Sequence, residues 1–561
     1  MFGRFVGLFL ASLVVSAPAA GQIVITLDTQ PGASLFGEHR FTALVQSQSL
    51  VTQVEFYVNG DLVATDESTP YEFVMDTLMY DEGEVMLTIS AYNRDGESAK
   101  LDVKLTIDNA LGKGIEYHID RANEAVVNQN WDEAIQICRI ALKIDSSNND
   151  ARMAIARAYF GKGVYDMAQK FAEDILADDP GNTPAKSLLS GIGLRQAFSA
   201  VESGMDRDQA LDTLASAMKM ATEARMEVLE AQIETAAQAA AGKDGGPEWF
   251  AYVDTLISTG RYSTAIGELS SPMLKNPDDN AIANRIIYAQ IRAGRTQAAL
   301  RSLREHEREG YPDAYGYSLK AILMEHLGED QAALDAEREA ILEDAGSLGV
   351  RTTQAYLALR RGRGGALQQI TRSLATSEGQ SPITNYYLAA MYYRQNQFQL
   401  SEKAFQAALL ADPAMYDMYI ERANQALSFL VANALTGKEK AYQLRFAEAF
   451  TQAALIARPE SFEALTAQAL IYLYRDELDD ALRFAQAAVQ AGPEYGAAHN
   501  TLALALSLTG QSFEGVAQME KAGAADPAYL AGATVPTLNR AWDYFFRHGR
   551  TPLIVPPSSG S

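Results

Sequence analysis

The chain has 561 residues, a formal net charge of −24, 48% hydrophobic residues and one cysteine. So acidic a protein is a poor partner for nucleic acid, and the lone Cys138 excludes an intramolecular disulfide. Stability has to come from apolar burial, which a chain of this length can supply. Cys138 itself reads as a packed thiol rather than a reactive one.

In residues 1–21, Arg4 precedes the apolar run Phe5 to Val15 and the small residues SAPAAG, the charged, apolar and cleavable parts of a secretory signal. The run is too short to span a bilayer comfortably, so a retained anchor is the weaker alternative. Cleavage near Ala19 to Gly21 leaves a mature chain starting close to Gln22, without a transmembrane span. The expected location is extracytoplasmic, in a bacterial periplasm or on the cell surface.

Residues 22–108 alternate short Val-, Ile-, Thr-, Tyr- and Phe-rich runs with polar residues, the signature of half-buried strands. Seven strands are expected: IVITLD, FTALVQ, VEFYVNG, LVATDES, YEFVMDT, VMLTISAYN and KLDVKLTID. Turn signals fall at Asn59-Gly60-Asp61 and Asp95-Gly96, and the whole suggests a β-sandwich. The stretch from residue 54 to 77 resembles the central hairpin of bacterial immunoglobulin-like domains. Residues 22–107 hold 14 acidic against 4 basic residues. The loop acids Asp76, Asp81, Glu82 and Glu84 read as solvated turn residues; a calcium site is the alternative, though their spacing fits no calcium loop.

A linker at 109–115 leads into a beat of about 34 residues. Small or apolar residues recur at Ala134, Ala168, Ala265, Ala299, Ala333, Leu367, Ser401, Ala447, Ala481 and Gly515. Single periods connect Ala265 to Ser401, and one step carries 12 extra residues, around Leu427 to Lys440. Twelve residues after several of these positions stands a proline, at Pro180, Pro277, Pro413, Pro459, Pro493 and Pro527, where it ends a helix. Such a period marks stacked helical hairpins that cannot bury their apolar faces singly.

The unit from Asn385 to Pro413, with Ala389, Tyr392, Phe398, Phe405 and Ala408 at fixed spacings, resembles the tetratricopeptide repeat family, as do WDEAIQICRIALKID from Trp131 and LDDALRFAQAAVQAGP from Leu478. The resemblance implies a mainly α fold: a right-handed α-solenoid of antiparallel helix pairs after the small all-β sandwich. Its units are expected over 116–184 and 247–528, with a degenerate helical region at 185–246. A capping helix at 529–549 and a disordered tail at 550–561 complete the chain.

No catalytic constellation is legible. His39, His118, His306, His326, His499 and His548 are scattered, there is no HExxH pair, and RRGRGGAL lacks the ending of a phosphate loop. No metal site, cofactor or enzymatic activity is expected. From Gly346 to Thr376 a basic patch of Arg351, Arg360, Arg361, Arg363 and Arg372 contains no acid. It reads as a solvated face or as a dock for an anionic surface, the protein's own acidic domain included.

In the tetratricopeptide family the first helix of each pair lines the concave face. Carried onto this chain, that places Asn284, Arg285, Tyr288, Arg292, Tyr315, Tyr356, Arg360, Tyr386, Tyr387, Tyr393 and Arg394 inward, a Tyr–Arg mixture suited to an extended peptide or to packing between helices. The expected function is an exported, non-enzymatic scaffold that binds protein or peptide partners in cell-envelope assembly. The alternative is glycan or surface-polymer recognition by the immunoglobulin-like domain, with the solenoid as spacer.

Overall fold

The computed structural model describes residues 23–557 other than 244, 380, 527–528 and 530–533. The expected signal segment, Pro527 and the last four residues lie outside the described residues. The chain divides into two compact units, Met1–Leu188 and Leu189–Ser561.

In the first unit, alternation builds a sandwich. One sheet orders β1 (Val24–Leu27), β3 (Glu38–Gln46) and β6 (Tyr71–Asp76). The other orders β2 (Ser34–Leu35), β8 (Ser98–Ile107), β7 (Gly83–Asn93), β4 (Val51–Val58) and β5 (Asp61–Asp66). Every second residue of β7 points inward, Val85, Leu87, Ile89 and Ala91, and meets Phe41 and Met75 of the facing sheet. The β4–β5 hairpin turns at Asn59 and Gly60, both at positive φ, as its tight turn demands. The seven expected strands form, and the two-residue β2 adds an eighth by pairing parallel to β8.

Four helices complete this unit: α1 (Ile115–Val127), α2 (Trp131–Ile144), α3 (Asn149–Lys162) and α4 (Tyr165–Asp178). Ala134 and Ala168 are fully buried where the paired helices come closest. Cys138 is buried in the same core, and burial pushes its thiol up to about 12, so it is inert. Acids of the sandwich are bound here: Arg139 of α2 holds Glu38 and Asp76, each at 2.5 Å. Of the calcium candidates, Asp76 thus pairs with Arg139, Glu82 accepts the Leu111 N–H and Glu84 faces Lys104.

The unit boundary falls within the long α5 (Thr183–Glu202), and the second unit goes on to the longer α6 (Arg207–Ala240). It continues with α7 (Pro247–Ser258), α8 (Tyr262–Lys275), α9 (Asn280–Arg292), α10 (Thr296–Glu309), α11 (Ala314–His326), α12 (Asp330–Asp344), α13 (Leu348–Arg360) and α14 (Gly364–Glu378). Then follow α15 (Pro382–Arg394), α16 (Phe398–Ala411), α17 (Tyr416–Ala432), α18 (Gly437–Ala457), α19 (Phe462–Arg475), α20 (Leu478–Ala491), α21 (Gly496–Leu508), α22 (Ser512–Ala525) and α23 (Leu538–His548). The period has a physical basis: Ala265, Ala299, Ala333, Leu367, Ser401, Ala447 and Ala481 are all buried, one at each helix-pair contact. Helices α8, α16, α18 and α20 each end just ahead of a proline, at Pro277, Pro413, Pro459 and Pro493.

The insertion around Leu427 to Lys440 lengthens α17 to 17 and α18 to 21 residues, against 13 and 14 for α15 and α16. The added length docks on α6. There Arg207 grips Glu439 bidentately, at 2.7 Å and 2.8 Å, while stacking on Tyr442. That hydrogen-bonded pair lowers the Glu439 carboxyl to about 2. Curvature within this unit is tight. The Gly294 backbone, after α9, lies against the Phe462 ring of α19, and Gln297 of α10 donates its N–H to Glu494, beyond α20. This is a tetratricopeptide-like α-solenoid following an immunoglobulin-like sandwich.

Candidate functional site: the inner face of the solenoid

A helix with one buried face normally shows polar residues on the other. The outward α10 obeys, burying Ala299, Leu300, Leu303 and His306 only. The inward α9 does not: every residue from Ile282 to Arg292 is buried. Part of its second face, at Tyr288 and Arg292, is covered by residues 552–554.

Residues 550–557, expected as a disordered tail, correct that expectation: 551–557, with no regular secondary structure, lie in the interior of the second unit. The segment leaves α23, which packs on α19 and α21 through Trp542 and Phe545. At the exit a Cβ on Gly549 would come within 2.7 Å of the Ala497 Cβ. Only glycine fits there. Arg550 inserts between Glu421 and the Tyr386 hydroxyl. Glu463 accepts the Thr551 N–H at 2.7 Å and its hydroxyl at 3.1 Å.

Four consecutive carbonyls then each accept one side-chain hydrogen bond. Pro552 O takes Arg292 Nη1 at 2.7 Å, Leu553 O the Tyr387 hydroxyl, Ile554 O the Tyr288 hydroxyl at 3.3 Å and Val555 O the Tyr315 hydroxyl at 2.6 Å. The Val555 N–H donates to Thr352 Oγ1 at 3.2 Å. The Ile554 side chain, 1% exposed, joins the apolar cluster of Tyr262, Tyr288 and Tyr315.

Five of the eleven residues placed inward from sequence therefore touch this segment: Tyr288, Arg292, Tyr315, Tyr386 and Tyr387. Three others join neighbouring helices instead. Asn284 donates to Asp313 at the start of α11, Arg285 forks onto Asp254 of α7 at 2.6 and 2.9 Å, and the Tyr393 hydroxyl donates to the Gln425 carbonyl. Tyr356, Arg360 and Arg394, with Tyr386 and Tyr393, line a cavity of about 1070 Å³ that opens beside Arg550 and Leu553.

The electrostatics of the interior are those of buried ion pairs. Arg292 forks onto Asp417 at 2.8 to 3.0 Å and also reaches the Tyr262 hydroxyl. Burial alone would raise the Asp417 carboxyl, but Arg292 and Arg458 outweigh it and hold it below the ordinary range. Burial is likewise outweighed at Glu421, chiefly by Arg550. At Glu463 burial prevails and the carboxyl lies above its ordinary value. Sequence reasoning missed Asp417, Glu421, Glu463, Thr352 and the segment itself. The first three stand on first helices of their pairs, so the repeat phase carried a signal for them.

The basic patch is mostly spoken for. Arg361 pairs with Glu325 and Glu337 at 2.7 and 2.6 Å, Arg360 lies 3.9 Å from Glu325, and Arg351 donates to Ser377 and Ser373. Arg363 and Arg372 are exposed. Among the described residues no group of three or more His, Cys, Asp or Glu could hold a metal ion, and no helix is long and apolar enough to cross a membrane.

With this geometry the chain combines two known kinds of module. Residues 14–89 match the bacterial Ig domain family and residues 127–192 the tetratricopeptide repeat family. Among solved structures, yeast Tom70 is 13% identical over 73% of this chain and 91% of its own, with a TM-score of 0.33. The APC/C hetero-tetramer Cut9–Hcn1 is 14% identical over 73% and 87%, with a TM-score of 0.30. The fibronectin(III)-like modules of Clostridium thermocellum CbhA are 23% identical over 15% and 94%, with a TM-score of 0.14. No curated protein matches the chain.

Proposed function

We propose that this protein is an exported, non-enzymatic scaffold that assembles or holds other proteins at the cell envelope, gripping an extended segment of each on the inner face of its solenoid. The observation that carries the reading is the row of carbonyls from Pro552 to Val555, each met by a different inner-face donor. Carbonyls are common to all peptides, so such donors hold a chain by its backbone, while the flanking pockets choose among side chains. Tyrosine and arginine suit the task because their donors sit on rigid or planar groups. The cavity beside Tyr356 and Tyr393 gives such a segment a way in. Export rests on the N-terminal pattern of Arg4, the apolar run and SAPAAG.

The test is site-specific photo-crosslinking in cells of the source organism. With the photoreactive residue at Tyr356 or Tyr393, discrete crosslinks to another protein are expected; at the outward Phe513, 91% exposed, none are expected. Crosslinks at Phe513 and never in the cavity would move binding to the outer surface. N-terminal sequencing of the mature chain should begin near Gln22, and an intact Met1 on cytoplasmic protein would refute export.

A further inference from the structure

We infer that residues 550–557 are a tethered ligand: they occupy the inner face in place of a partner segment of the same chemistry, a basic residue followed by proline and aliphatic residues, and must leave before it enters. The inference rests on the inner-face reading above and adds to it the partner's chemistry and the means of control.

Three observations support it. First, the inner face is not an apolar core with a matching plug. It carries Arg292, Asp417, Glu421 and Glu463, charged groups that tolerate water or a new peptide once the segment withdraws, whereas vacating an apolar channel would expose a surface with no use for water. Second, the attachment is local. Helix α23 is fixed by Ala541, Trp542 and Phe545, and the Tyr495 hydroxyl holds the Gly549 carbonyl, so the chain is anchored as far as Gly549 and residues 550–557 can leave without undocking the helix. Third, recognition involves side chains as well as backbone: Glu421 and Tyr386 receive a cation, and an apolar pocket at Tyr288 receives Ile554. A partner is thus selected for a positive residue near the start of its segment and an aliphatic residue four positions on.

Tethering gives the resident segment an effective concentration of order millimolar, so a free peptide meets strong competition. The experiment follows the binding of a fluorescent peptide, Arg-Thr-Pro-Leu-Ile-Val-Pro-Pro, by anisotropy. It compares the full chain, a chain ending at Gly549 and the full-length double variant Arg550→Glu, Ile554→Asn. The two released forms should bind one peptide each, and the unaltered chain at least tenfold more weakly; a peptide with Ile replaced by Asn should bind none of them.

Equal binding by all three forms would overturn the inference, since the tail would then not compete. So would released forms that keep their helical circular dichroism yet ignore the peptide, or released forms that both lose that signal, which would make the segment a structural plug. Dimers of the full chain that vanish on truncation would also overturn it, by assigning the tail to a neighbour's interior. In each case crosslinks at Tyr356 and Tyr393 would still decide the inner-face reading on its own.

Discussion

Helices α3 and α9 hold the same place in the repeat, yet α3 leaves a face exposed at Asp150, Arg157, Gly161 and Lys162 while α9 buries everything between Ile282 and Arg292. In the first unit α3 hides Ala151, Met153 to Ala156 and Ala158, all apolar, and the ion pairs of its neighbourhood, such as Lys162 with Asp132, sit in solvent. In the second unit the corresponding positions add Asn284, Arg285, Gln290 and Arg292, all buried. A common period therefore fixes how helices stack and says nothing of what the inner face does. That face is made by polar residues at positions the stacking leaves free, and it becomes an interior only when the solenoid bends round a segment.

The sharpest way to break the comparison is to remove a partner from an ion pair in each unit. Asp417→Ala leaves the Arg292 guanidinium buried without its carboxylate and is expected to cost about 3–5 kcal/mol, seen as a large fall in urea midpoint. Asp132→Ala, at an exposed pair, should leave the midpoint unchanged. Equal effects would mean that the two inner faces do not differ as described.

Ile554→Ala comes next. Truncating this buried side chain removes about 2–5 kcal/mol of packing, but if the segment detaches locally, global stability falls by no more than the free energy of its release. The expected result is faster proteolysis within 550–557 with a nearly constant melting temperature. A drop in melting temperature of the full size would tie the segment to global unfolding.

Smaller still are the hydroxyls. Tyr288→Phe, Tyr315→Phe and Tyr387→Phe keep each ring and delete one donor to the segment, each costing it about 1 kcal/mol. Phenylalanine is the right substitution at Tyr387, which is wholly buried, because alanine there would open a core cavity and confuse binding with stability.

These targets show where the sequence was legible. The solenoid could be read because its signals are local: Ala299, Ala333 and Leu367 recur in phase, Pro413 and Pro493 stop helices, and each acts within its own hairpin. The sandwich was legible for the same reason, through the alternation in β4 and β7; the two-residue β2 was too short to show a period. Phase decides which side chains point inward, and five of the eleven residues so placed, Tyr288, Arg292, Tyr315, Tyr386 and Tyr387, meet the segment. The segment itself was illegible. TPLIVPPSSGS has the composition of a disordered tail. What orders it lies far off in the chain, as Tyr315 does from Val555. Asp417 and Glu421 look like ordinary helix-surface acids until Arg292 and Arg550 are brought to them by curvature.

Acidification sharpens the electrostatic side of the contrast. The depressed carboxyls of Asp417 and Glu421 give stability that is present above their unfolded values, near pH 4, and lost as pH falls through their lower folded values. Glu463 has the opposite sign: its folded value is raised, so its penalty appears as pH rises through the unfolded value toward the folded one, and acid relieves it. The urea midpoint should therefore rise slightly as pH falls toward about 4, where Glu463 is relieved, and then fall below that, where Asp417 and Glu421 are protonated. Glu463→Gln, which removes the compensating group, should raise the midpoint at neutral pH. If it lowers the midpoint there, the bonds from Thr551 outweigh the burial of the charge.

The least effect is expected at the two exposed arginines of the basic patch. Arg363 and Arg372 make no contact with the interior segment, and the other three members of the patch are engaged within the second unit by Glu325, Glu337 and the serines of α14. Reversing both to Glu should change stability by no more than about 0.5 kcal/mol and leave peptide binding by the released chain nearly unchanged at physiological salt, where exposed charges are largely screened. A partner whose capture by the full chain weakens on this double reversal, and weakens again with added salt, would reveal a second, anionic surface docking on the outside, independent of the segment held within. Retention of binding under both treatments would leave these arginines as solvated charges and concentrate recognition on the face that Tyr288, Arg292, Tyr315 and Tyr387 already line.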